Sequence, residues 1–214
     1  MLDQTQPLQA TADKMRSREN NYQVFYDGHA VMWQGANRIT SDKIEIDRDG
    51  QTLHASGNVV SELVDNKKGS DNPVYTTVKA PDLLYHDDTR EALYSGGVTL
   101  LRNTMTVTSK ELRAFLTPKT DDNKDDSSLD HAFADGDLIV LDVLGPNHKR
   151  TGCADSGEYY TKEDKVILKG GAPQIVDSLR GITRGKLITY FSGDDRLLVE
   201  GETKKPAFSK MIKK

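Results

Sequence analysis

A thirteen-residue interval recurs along this chain. It separates Ile44 from Gly57, Leu83 from Gly96, Gly157 from Gly170 and Ile188 from Gly201. Each interval runs through two short alternating stretches with a polar turn between them. In the last, Ile188 and Tyr190 precede Ser192-Gly193-Asp194-Asp195, and Leu197 and Val199 follow. The others turn at Asp47-Arg48-Asp49-Gly50, His86-Asp87-Asp88 and Lys162-Glu163-Asp164-Lys165. Apolar residues two apart on both sides of a turn are the signature of an antiparallel hairpin with one buried face. The reading is strand, turn, strand and stop at the glycine, written several times over as an internal repeat.

The rest of the chain agrees. Tyr22, Val24, Tyr26, Ala30 and Met32 alternate around Asp27-Gly28, where a turn or bulge is permitted. Strand-like runs follow at 58–63, 74–78, 98–101, 105–116, 133–143 and 172–176, and no helical stripe reaches 11 residues. The fold class is all-β and antiparallel. Each repeat carries a reversal, and the closing glycines Gly57, Gly96, Gly136, Gly170 and Gly201 are spaced more widely than the rungs of a parallel β-helix. Residues 1–21 read as a flexible polar lead-in ending in a helical turn at most. Residues 22–201 form the repeat domain, and 202–214 a basic, disordered tail. Polar stretches at 65–73 and 117–130 read as exposed loops.

Composition narrows the function by exclusion. Among 214 residues, 29 basic and 33 acidic side chains leave a charge of −4, which gives no reason to expect nucleic acid as a partner. A mean hydropathy of −0.63 is a thin supply of apolar residues, better suited to an elongated sheet than to a deep core. No apolar run is long enough to cross a membrane as a helix. The five histidines fall in no metal-binding spacing, and there are no nucleophile-elbow, phosphate-loop or dinucleotide motifs. Asp121, Asp122, Asp125 and Asp126 read as a solvated loop before a calcium site, and Cys153 as a packed side chain before a nucleophile. The expectation is a protein with no catalytic residues, no cofactor and no metal.

An open row of strands keeps an edge at each end. The edges fall at 22–33 and 186–200, where another chain can add strands. Inward apolar positions then line either a closed, dry sandwich or an apolar groove; periodicity allows both. They are Ile44, Ile46, Val59, Leu83, Tyr85, Val98, Leu100, Leu112, Leu138, Val140, Tyr159, Ile175, Ile188, Tyr190, Leu197 and Val199.

The repeat has a recognisable form. Ser41-Asp42-Lys43-Ile44-Glu45-Ile46 closes on Ala55-Ser56-Gly57-Asn58-Val59, and Ala80-Pro81-Asp82-Leu83-Leu84-Tyr85 and Ala154-Asp155 to Tyr159 restate its opening. Ile188-Thr189-Tyr190 closing on Leu197 to Gly201 is the last copy. The third, Ser109-Lys110-Glu111-Leu112-Arg113-Ala114, departs most. Over residues 22–201 the sequence resembles the OstA-like family of lipopolysaccharide-transport proteins. The resemblance implies a twisted β-jellyroll open along one side, and a non-enzymatic periplasmic bridge that binds lipid A acyl chains at the inward positions. It further implies end-to-end stacking with homologous domains or with itself, and a leader or anchor preceding the lead-in. The alternative is a structural β-repeat scaffold with a dry core and no lipid.

Overall fold

Three of the glycines that close the repeats, Gly57, Gly96 and Gly136, do not end strands but bend them, whereas Gly170 and Gly201 follow strands that stop at Lys169 and Glu200. In the computed structural model the strand through Gly57 runs from Thr52 to Asp65, with Gly57 at φ +76° and Asn58 at φ +51°. Two successive residues in the left-handed region give this strand one more residue than its partner, and pairing lapses between Ser56 and Val59. The result is a β-bulge, which turns the strand sharply. Equivalent steps occur at Gly28-His29, Gly96-Gly97 and Gly136-Asp137. A hairpin that stops and a strand that bends leave the same period-two pattern, which is why the sequence suggested the first.

The structure describes residues 7–18, 22–65, 73–117 and 128–212, and among them every regular element is a strand. These are β1 (Gln9–Thr11), β2 (Lys14–Arg18), β3 (Gln23–Gln34), β4 (Asn37–Asp47), β5 (Thr52–Asp65), β6 (Val74–His86), β7 (Glu91–Arg102) and β8 (Met105–Leu116). There follow β9 (Leu129–Gly145), β10 (His148–Tyr160), β11 (Lys165–Lys169), β12 (Gln174–Asp177), β13 (Gly181–Arg184), β14 (Leu187–Phe191), β15 (Arg196–Glu200) and β16 (Phe208–Met211). All belong to one antiparallel sheet in which β3 to β10 follow chain order. The sheet does not close: β15 and β16 end it on one side, β1 and β2 on the other.

The bends divide the sheet into two half-sheets. One carries β1, β12, β13, β16 and the halves of β3 to β10 that pair with them; the other carries β2, β11, β14, β15 and the remaining halves. The bends form a spine along one side, and the hairpin turns lie along the opposite margins. At the spine an acidic residue sits over the glycine steps at Gly28 and Gly57, and Pro81 over that at Gly96. Asp42 accepts a hydrogen bond from Asn58 Nδ2 at 3.0 Å, and Asp13 pairs with His29 Nδ1 at 2.9 Å. In the divergent third repeat the polarity is exchanged, and Lys110 meets Asp137 at 3.0 Å. The repeat that looked broken in sequence keeps the contact with its charges reversed.

The half-sheets pack face to face. Their joint core includes Met32, Ile39, Val59, Val78 and Val98 from one, and Ile44, Leu53, Leu83, Tyr85, Tyr94 and Ile188 from the other. Gly152 on β10 lets Leu168 of the facing half-sheet approach, since a Cβ there would lie 3.0 Å from its Cδ1. Tyr85 and Tyr94 are the largest side chains wholly removed from water, and burial pushes the Tyr94 hydroxyl up to about 12.

Two stretches read from sequence as irregular are strands. Within the polar lead-in, β1 pairs Ala10 with Met32, and β2 pairs Met15 with Tyr26. Within the basic tail, β16 pairs Ser209 with Thr183. Both segments are short edge strands whose side chains are mostly exposed, so hydrogen bonding to a neighbour holds them without the apolar alternation that a sequence reveals. The edges therefore lie at β1–β2 and at β15–β16, further out than 22–33 and partly beyond 186–200. The stretch 66–72 and the acidic residues Asp121, Asp122, Asp125 and Asp126 lie outside the described residues.

Candidate functional site

Cross-strand pairing sets the inward residues in rows, and the rows change size along the sheet. In the second half-sheet one row reads Ile44, Ala55, Leu83, Tyr94, Leu112, Ala134, Gly157, Leu168, Ile188, Val199. The next, nearer the margin, reads Ile46, Leu53, Tyr85, Ala92, Ala114, Ala132, Tyr159, Val166, Tyr190, Leu197. The first shrinks to alanine and glycine at β9 and β10, and the second to alanine from β7 to β9. Smaller side chains between the same two backbones leave unfilled space.

The space is there. A cavity of about 90 Å³ is walled by Leu100, Met105, Val107, Leu112, Leu129, Ala132, Ala134, Leu138, Val140, Gly157, Tyr159 and Val166. A second, of about 70 Å³, adjoins it through Leu100, Leu112, Leu129 and Ala132 and adds Leu63, Val78, Ala92, Tyr94, Ala114 and Leu116. Thr76 and Arg102 stand at both. The walls draw on both half-sheets and reach the turns of both margins, at Asn37 on one and Ser128 on the other. A third cavity, of about 470 Å³, lies at the C-terminal end between Ile175, Leu179, Tyr190, Leu197, Met211 and Ile212.

These positions divide the residues singled out from sequence. Leu100, Leu112, Leu138, Val140 and Tyr159 come together on the first cavity, and Ile175, Tyr190 and Leu197 on the third. Ile44, Val59, Leu83, Tyr85 and Ile188 are packed to 1% exposure or less, and Val98 to 3%. Ile46 and Val199 pack partly buried against that interior. Sequence reasoning missed the small residues Ala92, Ala114, Ala132, Ala134 and Gly157, because a search for apolar bulk passes over them. The signal was present in the register: Gly157 occupies the repeat position held elsewhere by Ile44, Leu83 and Ile188.

A charged cluster borders the third cavity. Asp177, at the end of β12, receives hydrogen bonds from the backbone N–H of Leu179 at 2.9 Å and of Arg180 at 3.1 Å. Arg150 Nε donates to it at 3.2 Å, and His148 Nε2 lies at 3.0 Å. Burial alone would raise its pKa, but these donors outweigh burial and bring it down to about 2. A carboxylate depressed in the folded state adds stability that is complete above the usual aspartate range and vanishes as pH falls toward about 2. Urea titrations at pH 5 and pH 2.5 are expected to show a loss of stability that is smaller in Asp177→Asn. Equal losses in both proteins would remove Asp177 as a contributor.

Among the described residues no three His, Cys, Asp or Glu side chains are grouped to hold a metal ion, and no helix is long and apolar enough to cross a membrane. No individually curated protein matches the chain. Among solved structures it is similar to LptH, the LptA-homologous periplasmic component of the lipopolysaccharide transport device of Pseudomonas aeruginosa. The two share 14% identity at a TM-score of 0.47, over 59% of this chain and 82% of that one. The family model described as LptA/(LptD N-terminal domain) LPS transport protein matches residues 4–72 and 77–196. That match spans nearly every strand of the sheet and all but Thr76 of the walls of the first two cavities, and the chain belongs to this family of lipopolysaccharide-transport proteins.

Proposed function

We propose that this protein is a non-enzymatic bridge component that carries lipopolysaccharide through the periplasm, with lipid A acyl chains held between the half-sheets from β6 to β11. Family membership supplies the transport role. The observation that carries the acyl-chain reading is the coincidence of the shrinking rows with two adjoining, almost wholly apolar cavities. Transfer of each CH₂ from water into such walls contributes about 0.8 kcal/mol and requires no charged partner. The cavities hold only a short stretch of chain as they stand, so an acyl chain is accommodated as the half-sheets move apart. The spine bulges are the natural place for that movement. The unpaired edges at β1–β2 and β15–β16 offer backbone donors and acceptors to homologous jellyroll domains or to further copies of the chain.

A photo-crosslinking amino acid placed at Leu112 or Ala132 in cells is expected to capture lipopolysaccharide, whereas one at the outward-facing Lys79 or Arg113 is not. Equal capture at all four positions would defeat the reading. Gly157→Leu provides an independent check. A Cβ at 157 would come within 2.4 Å of Leu138 Cδ2, so the new side chain must take its room from the cavity. Excluding about three methylenes of ligand costs roughly 2–3 kcal/mol, or more than tenfold in affinity. Fluorescence titration with an acyl probe measures it directly.

A further inference from the structure

Near the C-terminal end a cluster of side chains ties the two half-sheets together across their open margins. Arg150 belongs to β10 and Arg180 to the turn after β12, both on the first half-sheet. Asp195 lies in the β14–β15 turn on the second. Arg150 donates to Asp195 Oδ1 at 3.1 Å, and Arg180 pairs with Asp195 Oδ2. The hydroxyl of Tyr190 donates to Asp195 at 3.1 Å, and the Arg150 guanidinium lies 4.6 Å from the centre of the Tyr190 ring. Asp177 holds Arg150 from behind. One carboxylate thus collects donors from both margins, directly opposite the spine.

We propose that Arg150, Arg180, Tyr190 and Asp195 form a latch across the open margin, and that its release sets the rate at which a chain-bearing amphiphile enters and leaves the groove. The proposal rests on the acyl-groove reading above. Two observations favour a latch over an anion-binding site. The two arginines are balanced by Asp177 and Asp195, so the cluster presents no excess charge to a phosphate. The same four side chains wall the third cavity, so parting them widens it. The latch lies at the C-terminal end, beyond the stretch from β7 to β10 where the rows thin and the two smaller cavities open. Ion pairs of this kind are directional and salt-sensitive, which permits closure without permanent burial of the groove.

The test is stopped-flow uptake of cis-parinaric acid by the full chain. With Asp195→Asn the uptake rate is expected to rise about tenfold, the effect of losing charge-assisted bonds worth about 1.4 kcal/mol at the barrier. Added salt should accelerate the native protein and leave the variant unchanged. A second construction reads the opposite direction. In a Cys153→Ala background, Arg180→Cys and Asp195→Cys joined by bismaleimidoethane should slow uptake below that of the native protein, and this arm remains informative if Asp195→Asn folds poorly. Unchanged rates in both arms, with the native protein binding the probe normally, would overturn the latch alone. Failure of the native protein to bind cis-parinaric acid at all would overturn the groove reading, and the latch with it.

Discussion

Ile188→Asp should destabilise the fold by at least about 4 kcal/mol, a large share of the 5–15 kcal/mol available to an ordinary domain. Ile188 is wholly removed from water between its cross-strand neighbours Leu168 and Val199. An aspartate there forfeits the packing of the isoleucine and places a carboxyl group within the apolar core. The group must ionise at a heavy desolvation cost or remain protonated and unsatisfied. Ile188→Ala removes packing only and is expected to cost about 2–4 kcal/mol. Chemical denaturation of the two variants separates the contributions. A difference below about 1 kcal/mol would mean that water reaches position 188 and that the interior is open there. The sequence alone made this residue a candidate for the groove wall, where a charge would repel ligand. Its burial makes the first consequence one of stability.

Gly57→Val is the second large effect, expected near 3 kcal/mol or above. A residue other than glycine in the left-handed region costs about 1–2 kcal/mol, and a β-branched one is an outlier there. At φ +76° the added Cβ would also fall 2.3 Å from Asp42 Oδ2 and 2.9 Å from Asp42 Cβ, so the spine contact is lost as well. Combining Gly57→Val with Asp42→Ala should recover part of the loss and leave the backbone portion. Gly193→Ala serves as the control, since nothing lies within 4 Å of a Cβ there and its backbone is not left-handed; it should change stability little. Similar melting of Gly57→Val and Gly193→Ala would show that the bend does not depend on glycine.

The all-β antiparallel architecture was legible because period-two alternation and turn chemistry are local properties. So was the repeat, since its spacing needs no structure to be counted. What the glycines do was not legible: a bulge and a chain stop both interrupt pairing, and only the φ angles of Gly57 and Asn58 distinguish them. Short edge strands such as β1 and β16 escaped because a neighbour's backbone, and not their own side chains, fixes them. Of the residues lining the first cavity, Leu112, Leu138 and Tyr159 were found as bulk facing inward. Ala132 and Gly157 were missed, because a void is made by what is absent from a position and shows only when repeats are compared. Arg150 and Asp195 are 45 residues apart, and nothing in the local sequence announces that β10 and the β14–β15 turn meet across the margins.

The ordering of the sheet by chain position has a consequence for assembly of the molecule itself. From β4 to β9 each strand's partners are the strand before it and the strand after it. Such a chain resembles a linear array whose stability is built from nearest-neighbour terms, so ordering can spread from any nucleated pair toward both ends. The contacts that must close are short-range along the polypeptide, unlike those of a Greek-key sandwich, and the entropy of long loops need not be overcome before pairing begins. The outermost rows, each lacking one neighbour, should be the first to exchange their amide hydrogens. They are also the rows at which an additional copy of the unit can be appended without redesigning the interior, so that the length of the sheet is a number the fold leaves free.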